Sequence, residues 1–88
     1  MSPSVPLALT IYSRPGCHLC EDMKAVVAAV SRAVPLTLEE VDISRDAALE
    51  ARYGLEIPVL QCEGRLVAKY RVTEDALARI LRGRTGDR

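Results

Sequence analysis

Leu7-Ala8-Leu9-Thr10-Ile11-Tyr12-Ser13-Arg14-Pro15-Gly16-Cys17-His18-Leu19-Cys20 joins an apolar run, a turn and the start of a helix bearing two cysteines. Leu7 to Tyr12 contains no helix breaker and reads as a strand buried on both faces. Ser13 to Gly16 ends it with turn chemistry. From His18 to about Ala33 the apolar residues Leu19, Met23, Val26, Val27, Val30 and Val34 fall at steps of 4, 3, 1, 3 and 4, the period of one helix face. Glu21 and Asp22 lie in the first turn, where the positive end of the helix dipole favours acids. Arg32 sits near the end, where a cation is favoured, and Pro35 is placed to stop the helix.

Downstream, Leu36 to Ile43 alternates apolar and polar residues and predicts a second strand. The Glu39-Glu40 pair breaks the alternation, as a bulge would. Ser44 is a candidate N-cap for a short helix over Arg45 to Tyr53, which Gly54 would end. Ile57 to Cys62 predicts a third strand, Glu63-Gly64 a hairpin turn, and Arg65 to Tyr70 its antiparallel partner. Thr73 would cap a last helix to about Leu81, with Leu77, Ile80 and Leu81 inward and Gly83 closing it. The order β-α-β-α-β-β-α is an α/β fold. A right-handed crossover places the first two strands parallel in one sheet, and the closing hairpin adds an antiparallel pair.

With 88 residues the chain makes one domain, expected over residues 7–82, with flexible termini at 1–6 and 83–88. Lys and Arg number 12, as do Asp and Glu, so there is no net basic field to gather nucleic acid or an anionic membrane. No apolar stretch is long enough to span a bilayer, and Met1 to Thr10 lacks the pattern of a signal peptide. Three cysteines, two of them close together, fit a reducing, cytoplasmic setting rather than a disulfide-stapled secreted scaffold.

The chemistry sits at Cys17 and Cys20. At a helix N-terminus, unpaired N–H groups and the dipole stabilise an anion. Such a site lowers a thiol pKa from about 8.5 toward neutrality, and the thiolate is the nucleophile. Cys20, one turn on, lies on the same side of the helix. Cys17 is therefore expected to attack a substrate disulfide and Cys20 to resolve the mixed disulfide. The rival reading of C-x-x-C is half a zinc site. Zinc wants four ligands, and His18 and the distant Cys62 do not complete the set, so no metal is expected. His18 is either a solvent-facing residue or, as imidazolium, a group that favours the neighbouring thiolate. Arg14 is either a turn residue or an anchor for substrate carboxylates. Cys62 reads as a small buried apolar residue, Met23 as core, and Tyr12 and Tyr70 as packing residues.

Thr10 to Cys20 resembles the opening of glutaredoxins, and Val41-Asp42-Ile43 and Tyr53 to Pro58 resemble their second strand and the approach to their cis-proline. The match is to small bacterial glutaredoxin-like proteins of the thioredoxin superfamily. The resemblance implies a thioredoxin-like four-stranded mixed sheet with helices on both faces. It makes Cys17 the nucleophile and Cys20 the resolving thiol. It also implies that Pro58 is cis beside the disulfide and that Ile57 offers backbone hydrogen bonds to an extended substrate. Implied substrates are protein or glutathione-mixed disulfides. Electrons would come from glutathione, as co-substrate, or a thioredoxin-type reductase, with no bound cofactor and a monomeric chain.

The chain departs from glutaredoxins in two places. His18-Leu19 stands where they carry Pro-Tyr. Ala68 to Asp75 lacks the glycine pair with which they hold glutathione. Both differences bear on glutathione binding and leave dithiol exchange untouched. A thioredoxin-fold adaptor that only senses redox state, or a dimer bridging an iron–sulfur cluster through Cys17, are the alternatives.

Overall fold

A computed structural model describes residues 6–85. Strand β1 (Leu7–Ser13) leads to helix α1 (His18–Val30) and strand β2 (Leu36–Asp42). A single 3-10 turn (Ile43–Arg45) precedes helix α2 (Ala47–Tyr53). Strands β3 (Val59–Cys62) and β4 (Arg65–Lys69) and helix α3 (Glu74–Thr85) complete the chain. The sheet order is β2-β1-β3-β4, with β1 and β2 parallel and the β1/β3 and β3/β4 pairs antiparallel. This is the thioredoxin-like mixed sheet that the sequence led us to expect.

Alternation along β1 divides the molecule into two layers. Leu9 and Ile11 are buried against α1 and α3, where Met23, Val27, Leu77 and Leu81 pack with Leu60 and Cys62, and Ser13 is buried farther along the strand. Fully burying each such aliphatic side chain contributes about 1.5–3 kcal/mol relative to exposure. Tyr12 faces the other way, into a smaller cluster of Ile43, Tyr53 and Val59 under α2. The stacked rings of Tyr12 and Tyr53 lie 4.4 Å apart. Strand β1 is thus tightly buried on one face only. Ala8 is exposed and Thr10 and Tyr12 are half-buried, which corrects the expectation of burial on both faces. The physical reason is that α2 is short and covers less of the sheet than α1 and α3.

Other boundaries also moved. Helix α1 ends at Val30, and Ser31 to Val34 turn away before Pro35 is reached. Strand β2 pairs with β1 in unbroken register, so Glu39-Glu40 makes no bulge; the irregularity lies between Leu60 and Gln61, against β4. Ser44 does not cap α2. Asp46 does, its Oδ1 accepting from Ala48 N–H (2.9 Å) and Leu49 N–H (3.2 Å), while Asp42 caps the 3-10 turn. Strand β3 starts at Val59 rather than Ile57, and β4 ends at Lys69. Thr73 caps α3 through Ala76 N–H (3.1 Å), but the helix passes Gly83 and ends at Thr85. Glycine costs a helix only about 1 kcal/mol, and it stops one only where a left-handed residue is needed. Residues 1–5 and 86–88, most of the expected flexible termini, lie outside the described residues.

The Glu63-Gly64 turn has φ of +52° and +81°, the left-handed pair of a tight hairpin. It is tied back to β1, because Glu63 N–H donates to Ala8 O (2.8 Å) and Ala8 N–H donates to the Glu63 carboxylate (2.9 Å). Among the described residues, no helix is long and apolar enough to cross a membrane.

Candidate active site

The topology gathers four chain segments at one end of the sheet. Strand β1 ends there at Ser13 and β2 at Asp42, β3 begins there after Pro58, and β4 ends there before Tyr70. The C-x-x-C motif opens from the same end.

Cys17 is the N-cap of α1. Its backbone is extended (φ −92°, ψ 111°), and its sulfur accepts the Cys20 N–H at 3.1 Å. A cap that is usually an oxygen is here a sulfur, so an otherwise orphaned helix donor points at the Cys17 Sγ. Gly16, at φ +79°, supplies the left-handed step that turns the chain onto the helix. Cys17 and Cys20 are disulfide-bonded, with Cα atoms 5.2 Å apart. Cys17 is half-buried while Cys20 is only 1% exposed. The two sulfurs therefore differ in what can reach them. A large disulfide can approach Cys17, whereas Cys20 is reached chiefly by its partner.

His18 is exposed on the first turn and Leu19 is half-buried. The Ile57–Pro58 peptide is cis, as the resemblance implied, and Pro58 is buried. Tyr70 N–H donates to Pro58 O (2.9 Å), which ties the turn after β4 to the proline. Tyr70 itself has φ +68°, although it is not glycine. A bulky residue in the left-handed region costs roughly 1–2 kcal/mol. Its hydroxyl donates to Leu55 O (3.2 Å), so its side chain bridges two loops at this end of the sheet.

Arg14 is paired with Glu50 of α2, a partner 36 residues away. Gly54 makes room for this pair. A Cβ there would lie 2.6 Å from Glu50 O and 3.4 Å from an Arg14 guanidinium nitrogen. Beneath the motif, the buried Ser13 hydroxyl donates to the Glu40 carboxylate (2.8 Å). Lys24 of α1 pairs with Glu40 (3.0 Å) and Glu21 (2.9 Å). Hydrogen bonds from Lys24 and Ser13 hold the Glu40 carboxyl below its ordinary range, and those to Glu21 and Glu40 raise Lys24. Cys17, Cys20, Glu21 and Lys24 follow the i, i+3, i+4, i+7 spacing of one helix face, so the network braces the helix that carries the thiols.

The third cysteine is elsewhere. Cys62 lies at the hairpin end of β3 and is fully buried, and burial pushes its thiol up. It is the packing residue its position suggested. Tyr12 is likewise packed, its hydroxyl raised by burial and by the neighbouring Tyr53. Among the described residues, no group of three or more His, Cys, Asp or Glu is arranged to hold a metal ion. Sequence reasoning missed Glu50, the Ser13–Glu40–Lys24 network and the bridging role of Tyr70. No local pattern marks them, since each acts through a residue distant in sequence.

The chain matches the family described as Glutaredoxin-like domain (DUF836) over residues 8–82. It is 29% identical over 75 residues to the Glutaredoxin-like protein YDR286C homolog of Dictyostelium discoideum, covering 78% of this chain and 69% of that protein. Among solved structures it is similar to target protein XcR50 of X. campestris, with 37% identity and a TM-score of 0.73 over 85% of this chain and 96% of that one. It is also similar to protein Ne2328 of Nitrosomonas europaea, with 31% identity and a TM-score of 0.78 over 92% of this chain and 99% of that one. A thioredoxin of Halobacterium salinarum shares the fold, with a TM-score of 0.61 at 24% identity over 90% of this chain and 74% of that one.

Proposed function

This chain belongs to the glutaredoxin-like (DUF836) family, and from that premise we propose that it is a dithiol–disulfide oxidoreductase. The observation that carries this reading is the placement of Cys17. Its half-buried sulfur caps α1 and accepts a helix N–H, while Cys20 waits one turn inside. A thiolate at that position is stabilised before any substrate arrives.

In the reduced protein the Cys17 thiolate attacks one sulfur of a substrate disulfide. A Cys17–substrate bond forms, the substrate S–S bond breaks, and the first substrate sulfur leaves as a thiolate that takes a proton from water. Cys20 then loses its proton and attacks Cys17. The second substrate sulfur leaves, and the Cys17–Cys20 disulfide forms. Two electrons have passed to the substrate. A thiol such as glutathione, or a thioredoxin-type reductase, returns them.

Ile57 and Pro58 flank the site and would align an extended substrate. His18, beside the nucleophile, favours its anionic form when protonated. Arg14 is engaged by Glu50, yet a guanidinium carries five donors and can hold a substrate carboxylate beside that partner. Three cysteines, two of them close together, suit a chain acting in a reducing, cytoplasmic setting, and we read it as acting as a monomer.

Reduction of insulin and of a glutathione-mixed disulfide, with glutathione and with a thioredoxin reductase as recycling systems, tests the reading. The wild type should turn over at least one substrate. Cys20→Ser should accumulate a mixed disulfide at Cys17, visible as a mass increase. A wild type inert in every combination would favour an adaptor that only senses redox state.

A further inference from the structure

Arg14 is the permanent cation nearest Cys17 along the chain, three residues before it. Three peptide links keep the two Cα atoms within about 11 Å of each other. That is comparable to the Debye length of about 10 Å at 0.1 M salt, and well inside the length of about 30 Å at 0.01 M. A charge at Arg14 therefore acts on whatever approaches the Cys17 sulfur. The structure does not leave that charge bare. Arg14 Nη2 donates to Glu50 Oε2 on α2, and both side chains are partly exposed, at 38% and 42%.

Two further observations bear on the pairing. Gly54 has an ordinary right-handed backbone (φ −54°, ψ −32°), which any residue adopts. What excludes a side chain there is space. A Cβ would lie 2.6 Å from Glu50 O, 3.2 Å from Glu50 Oε2 and 3.4 Å from Arg14 Nη2. The other observation is Asp42, which stands opposite Ser13, the neighbour of Arg14, in the β1/β2 register. Ser44, through its hydroxyl and N–H, holds the Asp42 carboxyl below its ordinary range, and the charges of Arg45 and Arg14 add to this. Arg14, Arg45, Asp42 and Glu50 thus carry two positive and two negative charges, which cancel. Lys24, farther along α1, is likewise occupied by Glu21 and Glu40.

We infer that Glu50 is a specificity-determining residue of the redox site: by neutralising Arg14 it removes the attraction that a bare guanidinium would exert on anionic disulfides, and leaves the site without a preference for charge. Arg14 keeps further donors for a carboxylate, but no surplus charge to draw one in. Disulfides on neutral protein segments are then accepted as readily as those bearing carboxylates, a glutathione-mixed disulfide among them. Glu50 acts through Arg14 and touches no reacting atom. The exchange step is unchanged, with Cys17 attacking the substrate disulfide and Cys20 displacing the substrate thiolate. What is said of substrates rests on the dithiol-exchange reading above, whereas the field at Cys17 does not depend on it.

The test alkylates reduced Cys17 with two reagents of nearly equal size, neutral iodoacetamide and anionic iodoacetate. Both rates scale with the thiolate fraction, so their ratio reports the charge around the sulfur without any turnover. At about 0.01 M salt, Glu50→Gln should raise the iodoacetate-to-iodoacetamide ratio about two- to threefold over wild type, as one unit charge at this range gives in a water-like medium. Glu50→Asp keeps the charge and should stay close to wild type. Arg14→Gln should lower the ratio, and the double variant Arg14→Gln/Glu50→Gln should return to the wild-type value. The differences should collapse at about 1 M salt, where the Debye length is about 3 Å. An unchanged ratio in Glu50→Gln, or an increase that survives high salt, would overturn the inference.

Turnover of three small disulfides of similar size, anionic dithiodipropionate, neutral hydroxyethyl disulfide and cationic cystamine, reads specificity itself. Each is measured against the neutral one, which cancels any loss common to all three. On that scale kcat/KM for dithiodipropionate should rise about two- to threefold in Glu50→Gln, through KM rather than kcat, and that for cystamine should fall. Equal ratios in wild type and variant would overturn the role in specificity. A wild type that turns over none of the three, with the alkylation ratio moving as expected, would count against the oxidoreductase reading alone and leave Glu50 in control of the charge at Cys17.

Discussion

The two ends of the sheet hold the same residue type in opposite circumstances. At one end Cys17 caps a helix, partly open to solvent, with a backbone N–H aimed at its sulfur. At the other, Cys62 closes β3 under α3, fully buried, with its thiol raised by burial. Neither difference lies in the cysteine itself. Helix N-termini stabilise charge and a desolvated strand interior penalises it, so the same sulfur is suited to the nucleophilic role we propose in one place and is a small hydrophobe in the other.

The sharpest way to break this contrast is to exchange the roles experimentally. Cys17→Ser should abolish disulfide reduction, whereas Cys62→Ala should leave the rate within about twofold of wild type, because packing cysteines act through stability rather than chemistry. A coupled reductase assay reads both. If Cys62→Ala abolished disulfide reduction while remaining folded by circular dichroism, the division of roles would be wrong.

Alkylation measures the contrast directly. In the reduced, folded protein at pH 7, iodoacetamide should label Cys17 at least about tenfold faster than Cys62. Labelling at Cys62 should rise on adding denaturant. Comparable rates at both positions in the native state would show that helix capping does not activate Cys17.

Smaller effects sharpen the picture of how α1 is held. Glu40 is depressed below its ordinary value of 4.5, so the stability its ion pair contributes is present above that value and fades as pH falls through the folded-state value. Lys24 is raised above 10.5, so its share is present below that value and fades as pH rises past it. Both groups are partly exposed, which limits the contribution to less than about 1 kcal/mol. Glu40→Gln should therefore lower the melting temperature slightly at pH 7 and flatten its decline below pH 4.5. An unchanged acid limb would mean that the network contributes nothing.

The smallest effect expected is at His18. His18→Ala should make the Cys17 thiolate only slightly harder to form, since an exposed imidazolium is screened by water. A pH titration of thiolate absorbance follows it.

Local chemistry explains which of these features were legible. The Leu7–Tyr12 strand, the face of α1, the Glu63-Gly64 turn and the Thr73 cap each depend on residues within a turn or two of one another. Ser44 misled because it lies next to two aspartates that cap better: Asp42 took the 3-10 turn and Asp46 took α2. Gly83 misled because a glycine ends a helix only where the chain must turn left-handed, and here it does not.

By itself, then, the sequence determined where strands and helices form and put a sulfur at the start of a helix, because periodicity, capping and turn chemistry act over a few residues. Tertiary structure alone decided that Arg14 meets Glu50, that Ser13 and Lys24 meet at Glu40, and that Tyr70 lies against Pro58 and Leu55. Those contacts join segments 12 to 36 residues apart, whose proximity follows from the order β2-β1-β3-β4 and the packing of helices on it. Sheet pairing brings such residues together by burying apolar faces elsewhere, and so leaves no mark in their own neighbourhoods.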